Sequence, residues 1–357
     1  MIILTGNSNI KFAEIVALKL HTKLGSCVVT KFSNNETRIK EISDSLRGED
    51  VYIIFSSGDE INDQFFEVML MAHTAHYASA KSVVLVIPYY IYARQDRKMK
   101  SRDAQSARMI MDLLSAVHCD HIITVDLHNA AIQGFFKNSM DNLTAIPIFA
   151  GYIRDYIMEI GKTSGLTIDN YVIISPDAGG VPRARDLANK LGLSTGIIYK
   201  ERKEANAIED MKLLIEDGLK DRVAIIVDDM ADTCGTLKRA AKLLKDNGAI
   251  AVYAMVTHPI LSGRAIENIN ESVIDTLYVT DSVNLYDKAL ECKKLHILTI
   301  TTLIAGAISR HSKNESMAPL FEYDEKDVVT MLDEPSRKSS HRVSSVPETP
   351  LDAIPTL

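Results

Sequence analysis

Apolar, β-branched runs alternate with amphipathic stretches for about 300 residues, and that alternation leaves the chain few ways to fold. The strand candidates are Met1–Leu4, Val51–Phe55, Val83–Ile87, His121–Val125, Tyr171–Ile174, Ala224–Val227 and Ala251–Val256. Between them, Phe12–Leu20, Asp63–Ala78, Ala107–Val117, Val181–Leu191 and Leu237–Asn247 carry helical patterns. Strands that are apolar without interruption cannot leave one face in water. Separated by helices, they predict an α/β fold of parallel sheets flanked by helices on both faces. In such folds ligands gather at the carboxyl ends of the strands.

The chain also repeats itself. Leu4-Thr5-Gly6-Asn7-Ser8 leads into a helix ending Lys23-Leu24-Gly25, and Ser175-Pro176-Asp177-Ala178-Gly179-Gly180 leads into one ending Lys190-Leu191-Gly192. Later in each half a charged turn, Gly48-Glu49-Asp50 or Lys220-Asp221-Arg222, opens a strand, a polar loop, a helix and another strand. Two copies of one α/β unit are therefore expected, over residues 1–145 and 146–321, meeting near 143–150. From about Glu322 the chain is rich in Ser, Pro and charge, a composition that buries little apolar surface, and a disordered tail over 322–357 is expected.

The 357 residues are 46% hydrophobic and 24% charged, which suits two globular domains. No apolar run approaches the ~20 residues needed to cross a bilayer. The N-terminus reads as a first strand rather than a signal peptide. Cys27, Cys119, Cys234 and Cys292 lack ligand spacing, so neither a zinc site nor a disulfide framework is expected, and a reducing cytoplasm is the natural home. A net charge of −7 with no basic block in the folded part argues against a nucleic-acid surface.

The densest chemistry lies in Val227-Asp228-Asp229-Met230-Ala231-Asp232-Thr233-Cys234-Gly235-Thr236, fed by the apolar run Val223–Val227 and followed by a helical pattern from Leu237. Backbone N–H groups of the small-residue loop, with the positive end of the helix dipole, can hold a phosphate dianion. Asp228 and Asp229 would repel that phosphate, but they accept hydrogen bonds from a vicinal diol or carry a hydrated cation. The two halves of the motif want opposite ends of one molecule, a phosphorylated ribose. An acidic turn capping a helix is the plainer alternative.

Four further stretches sit where strands should end. Tyr92-Ala93-Arg94-Gln95-Asp96-Arg97-Lys98 offers Arg94, Arg97 and Lys98 to nucleotide phosphates, with Gln95 for hydrogen bonding, or else is a solvated basic loop. In Asp126-Leu127-His128 the Asp and His, two apart, are expected on one side, where the imidazole could meet a divalent ion or a phosphate. In Ser175–Gly180 the glycines admit a ligand to the backbone, and Asp177 can hold Mg²⁺ through water. Lys200-Glu201-Arg202-Lys203 is an exposed charged face or, as a lid, brings Lys200 and Arg202 to a transferring phosphoryl group. The chain has no G-x-x-x-x-G-K-[ST], so any ATP is not held by a P-loop.

In order along the chain, Phe32-Ser33-Asn34-Asn35-Glu36-Thr37, Tyr92–Asp96, Asp126–His128 with Gln133-Gly134-Phe135-Phe136, Ser175–Gly180, Lys200–Lys203 and Val227–Thr236 resemble the ribose-phosphate diphosphokinase family. The resemblance runs from Ile3 to about Phe321. It implies two duplicated phosphoribosyltransferase-like domains and a Mg²⁺-dependent transfer of the β,γ-diphosphoryl group of ATP to ribose 5-phosphate, releasing AMP. Carried over by motif, Asp232, Thr233, Cys234, Gly235 and Thr236 would bind the 5-phosphate, and Asp228 with Asp229 the ribose hydroxyls. Arg94, Gln95 and His128 would serve ATP; Asp126, His128 and Asp177 would serve Mg²⁺; Lys200 and Arg202 would be the catalytic cations. Phe32, Asn34 and Glu36 would hold adenine from a neighbouring subunit. That implies an oligomer, either a homo-hexamer or a hetero-oligomer with paralogues. A regulatory phosphate/ADP site would draw on Ser45, Arg47, Ser101, Arg102, Gln133 and Ser316. Asp103, Ala104, Gln105 and Ala318 depart from the family pattern there, and Asp103 is expected to offset the charge of Arg102. A non-catalytic subunit of a hetero-oligomer is the alternative, and the retained Lys200, Arg202 and acid pair weigh against it.

Overall fold

A computed structural model describes residues 1–201 and 210–322. The first half contains β1 (Ile2–Thr5), α1 (Ile10–Lys19), β2 (Cys27–Lys31), β3 (Thr37–Ile42), β4 (Asp50–Ile54), α2 (Ile61–Tyr77), β5 (Ser82–Ile87), α3 (Ser106–Ala116), β6 (His121–Val125) and β7 (Ser139–Leu143). A helical passage follows: α4 (Ile146–Tyr152), a π turn at Ile153–Ile157 and α5 (Met158–Thr163). The second half contains β8 (Tyr171–Ser175), α6 (Val181–Leu191), β9 (Ser194–Glu201), β10 (Asp210–Ile215), β11 (Val223–Ala231), α7 (Gly235–Asp246), β12 (Ala251–Pro259), α8 (Ala265–Glu271), β13 (Thr276–Thr280), α9 (Tyr286–Glu291), β14 (Leu295–Leu298), α10 (Thr301–Ser312) and α11 (Pro319–Glu322).

The first sheet has the order β1-β4-β5-β6-β7, parallel throughout. In the second, β10-β9-β8-β11-β12-β13-β14, every pair is parallel except β9 with β10. A separate antiparallel hairpin joins β2 to β3. Each expected strand and helix is present, displaced at its ends by a few residues at most, with the largest extension at β11, which runs on to Ala231. The segment at Lys200 differs from expectation. Lys200 and Glu201 end β9, paired with Met211 and Asp210, so they prolong an edge hairpin rather than begin a loop. Residues 202–209, including Arg202, and 323–357 lie outside the described residues. Glu322, expected in the tail, closes α11.

Side chains alternate across both sheets. Ile3, Tyr52, Ile54, Val84, Val86 and Ile123 of the first sheet enter the same buried cluster as Ile173, Val223, Ile225, Val227 and Met255 of the second, with α1, α4, α6 and α10 between them. The opposite faces belong to separate clusters, one under α2 and α3 and the other under α7 and α8. One helical layer is thus shared by both sheets. Polar bonds lock the strand ends over it. His258 Nε2 donates to the carbonyls of Val125 and Asp126 at 3.0 and 3.2 Å, and Asn284 N donates to Ser57 O at 2.9 Å. Gly58 N is bonded to Gln64 Oε1 at 2.8 Å, and the Ser56 hydroxyl lies 3.0 Å from Asn9 Nδ2 and 3.3 Å from Ser282 O. Among the described residues, no helix is long and apolar enough to cross a membrane.

Asp126 belongs to this seam. Its φ of +42° turns the chain out of β6, so Asp126 and His128 do not share a side as expected from strand alternation. Thr144 Oγ1 donates to Oδ1 at 2.8 Å, while Ala145 N and Thr257 Oγ1 donate to Oδ2 at 3.0 and 2.7 Å. The carboxylate therefore opens α4 and ties β12 to β6. Asp126→Ala strands three donors, and we expect it to lower unfolding free energy by about 3 kcal/mol, read by denaturant titration. A loss below about 0.5 kcal/mol would show that the seam does not depend on it.

Candidate functional site

A cleft of about 790 Å³ opens where strand ends of the two halves converge. Its floor is β11, whose apolar stretch lets the strand run buried until two carboxylates emerge at Asp228 and Asp229, still in register with β12. The 232–236 loop follows, with Cys234 in the left-handed region (φ +59°) as the cap of α7 and making no side-chain cap bond. The first N–H groups of α7, which helix geometry leaves without intrahelical partners, open beside the acid pair. β8 delivers Asp177, whose Oδ1 accepts from Gly179 N and Gly180 N at 3.0 and 3.2 Å. Gly180 permits this turn, since a Cβ there would come within 2.8 Å of Ser175 Oγ. From the first half, the segments after β5 and β6 bring Arg94 and His128 to the same cleft.

The acid pair is asymmetric. His128 Nδ1 donates to Asp229 Oδ2 at 2.8 Å, and Arg183 Nη1 lies 3.5 Å from Oδ1. Burial alone would raise Asp229, yet the hydrogen bond from His128 and the charge of Arg183 outweigh it and hold the carboxyl well below the usual range. Burial and then the charge of Asp229 push Asp228 well above it. Asp228 Oδ1 accepts from Asp229 N at 2.9 Å. The cleft thus has one firmly ionised acid and one poised to gain a cation or a hydroxyl donor. Asp232 is shared: Arg94 Nη1 donates to Oδ2 at 2.7 Å across the two halves, and Ser262 Oγ donates to Oδ1.

Arg94, His128, Asp177, Asp228, Asp229, Asp232, Thr233, Cys234 and Thr236 all line this cleft, and Gly235 begins the helix behind them. Others do not join it within one chain. Gln95 Oε1 accepts from the Ser106 hydroxyl at the start of α3, and Asp126 is spent in the seam. Phe32, Asn34 and Glu36 lie on the β2–β3 turn, where Arg38 sits 5.1 Å from the Phe32 ring centre and Asn34 Oδ1 accepts from Glu36 N at 3.2 Å. Ser45 and Arg47 line a separate hollow of about 510 Å³ beside β3 and α2. Neither the 101–102 turn, nor Gln133, nor Ser316 lines that hollow. Asp103 Oδ2 accepts from Met99 N and Lys100 N at 3.1 and 2.7 Å, which closes the turn that carries Arg102. Sequence reasoning missed Arg183 and Asn129, whose Nδ2 donates to Asp96 Oδ2 at 2.5 Å. Arg183 had a signal. A cation in the first turn of a helix opposes the dipole and needs an anion nearby.

Two α/β units rest on one shared layer, and at their strand ends an acid pair stands beside the open first turn of a helix, the arrangement of an α/β protein with a strand-end cleft. Comparison with known sequences makes this particular. Residues 1–117 match the N-terminal domain of ribose phosphate pyrophosphokinase, and residues 213–322 match the phosphoribosyl synthetase-associated domain. The chain is 45% identical over 319 residues to ribose-phosphate pyrophosphokinase 2 of Schizosaccharomyces pombe, covering 89% of this chain and 96% of that one. The crystal structure of phosphoribosylpyrophosphate synthetase from Mycobacterium smegmatis superposes with a TM-score of 0.80 at 30% identity, over 88% of this chain and 99% of that one. The chain belongs to the ribose-phosphate pyrophosphokinase family.

The Asp229 bond raises His128 above its ordinary 6.5, with burial opposing it. The pair's contribution to stability is therefore complete below pH 6.5 and is lost as pH rises through the raised value. In Asp229→Asn the His128 titration, followed by NMR, is expected to move down. An unchanged midpoint would mean that the pair does not form.

Proposed function

We propose that this chain is an enzyme that makes 5-phosphoribosyl diphosphate from ATP and ribose 5-phosphate. The anomeric hydroxyl oxygen attacks the β-phosphorus of ATP, the bond from that phosphorus to the α-phosphate bridging oxygen breaks, and AMP leaves with the electron pair. The hydroxyl proton passes to solvent. The observation that carries this reading is the junction of the Asp228–Asp229 pair with the 232–236 loop in one cleft, in a chain of this family.

The chemistry asks for positioning and charge neutralisation rather than covalent catalysis. N–H groups of the loop hold the 5-phosphate, and Asp228 and Asp229 accept from the ribose hydroxyls, which fixes the sugar by both ends. Arg94, with Arg97 beside it, meets the nucleotide phosphates. Lys200 and Arg202 are assigned to the diphosphoryl group in flight, and Gln95 to the nucleotide. Phe32, Asn34 and Glu36 are assigned to adenine bound by a neighbouring subunit, so the working form is an oligomer, such as a homo-hexamer. Ser45, Arg47, Ser101, Arg102, Gln133 and Ser316 are assigned to a regulatory anion site assembled between subunits.

The donor set fits Mg²⁺. The ion favours carboxylate oxygens, water and substrate phosphates over an all-protein cage, and Asp177 and Asp228 present carboxylates to the cleft. His128 donates Nδ1–H to a carboxylate, the arrangement that leaves Nε2 as the ligand atom. We assign His128 and Asp177 to the ion, which supplies charge neutralisation at the phosphates. The reducing cytoplasm suits the four free cysteines.

Purified chain with ATP, ribose 5-phosphate and Mg²⁺ is expected to give AMP and 5-phosphoribosyl diphosphate in equal amounts. Asp228→Ala and Lys200→Ala are each expected to lower kcat on the order of 100-fold or more in a folded protein. No AMP from a folded wild type that binds ATP would turn the reading to a non-catalytic subunit, and full activity in either variant would remove its assigned role.

A further inference from the structure

The segment after β12 does more than link it to α8. Leu261 (φ +50°) and Gly263 (φ +58°) fold it back, so that Leu261 N donates to Ala231 O and Ser262 N to Asp232 O, both at 3.1 Å. The β11–β12 pairing is thereby carried past the sheet into the 232–236 loop. Ser262 then adds its hydroxyl to Asp232 Oδ1, and from α8 Asn268 Nδ2 donates to Thr233 O at 2.9 Å.

Asp232 stands three residues before the first residue of α7. That is two residues before the cap, Cys234, and a carboxylate so near, released from its present partners, would compete for the first-turn N–H groups that helix geometry leaves without intrahelical partners. Those donors are the ones a phosphate dianion needs. Ser262 holds one carboxylate oxygen, and Arg94 at 2.7 Å holds the other. Burial would raise Asp232, but the bonds from Ser262 and Arg94 outweigh it and keep the carboxylate ionised, so its position matters. We propose that Ser262, assisted by Asn268, is a positioning residue for ribose 5-phosphate binding: it holds the Asp232 carboxylate off the loop's N–H donors and keeps the anion seat open.

This inference rests on reading the 232–236 loop as the seat of the sugar phosphate. The test is calorimetric titration of the full-length chain with ribose 5-phosphate, alongside steady-state kinetics. Ser262→Ala is expected to raise both Kd and KM for ribose 5-phosphate about fivefold, the worth of one hydrogen bond, with kcat and the KM for ATP within about twofold of wild type. Ser262→Thr, which restores the hydroxyl, is expected to return both to within about twofold of wild type, and Asn268→Ala to raise them about threefold. Unchanged ribose 5-phosphate affinity in Ser262→Ala overturns the inference, as does a Thr variant no better than Ala, or an equal loss in the ATP KM. Should Ser262→Ala fail to fold, Asn268→Ala decides, and wild-type affinity there overturns it. A wild type that binds no ribose 5-phosphate sinks the parent reading and this one together; a wild type that binds it beside an unaffected Ser262→Ala sinks only this one.

Discussion

The shared apolar layer between the two sheets is the constraint from which the rest of the structure follows. Ile3, Tyr52 and Ile123 press on it from one side, and Ile173, Val223 and Met255 from the other, with α1, α4, α6 and α10 as its filling. Because interiors pack at near-crystalline density, such a layer permits little sliding. It therefore fixes where the strands of both sheets end. Arg94 and His128 come from one sheet and Asp229 and Asp232 from the other, yet they meet at hydrogen-bond distances. A site made from both halves needs no loop to close for that meeting.

Electrostatics then divide labour within a short stretch of strand. Asp229 is held by His128 and Arg183 and keeps its charge; Asp228, adjacent and buried beside that charge, resists ionisation until something positive or hydrogen-donating arrives. Asp232 is engaged across the cleft by Arg94. Asp229 and Asp232 thus have different partners, drawn from different segments of the chain. Without them three carboxylates within five residues would repel one another and any phosphate nearby.

Much of this was legible in the amino-acid order. Strands buried on both faces, such as Val83–Ile87, declare themselves by unbroken apolar runs, and Val181–Leu191 has Pro182 in its first turn and a left-handed Gly192 after its end. Edge elements were not legible. Among the described residues β7, Ser139-Met140-Asp141-Asn142-Leu143, pairs only with β6 and is polar along most of its length, and β3 of the β2–β3 hairpin carries three charges in six residues. The acid pair and its loop could be read because apolar strands seldom end in two carboxylates. Asp126 misled because alternation assumes a strand that continues, and a left-handed residue ends that assumption. Ser262 was invisible, since it reaches the site only through the fold-back after β12.

The duplication is one of scaffold rather than of function. β4 lies beside β1 as β11 lies beside β8, and each is followed by a helix, so the Ser56-Ser57-Gly58 turn occupies in the first half the place of the 228–236 segment in the second. There, however, Gln64 holds Gly58 N, Asn284 holds Ser57 O, and Ser56 lies against Asn9 and Ser282. The first mouth has been spent as glue between the halves. Of two equivalent turns, one is closed by bonds within the protein and the other stays open to the cleft, so the closed turn serves to align the open one.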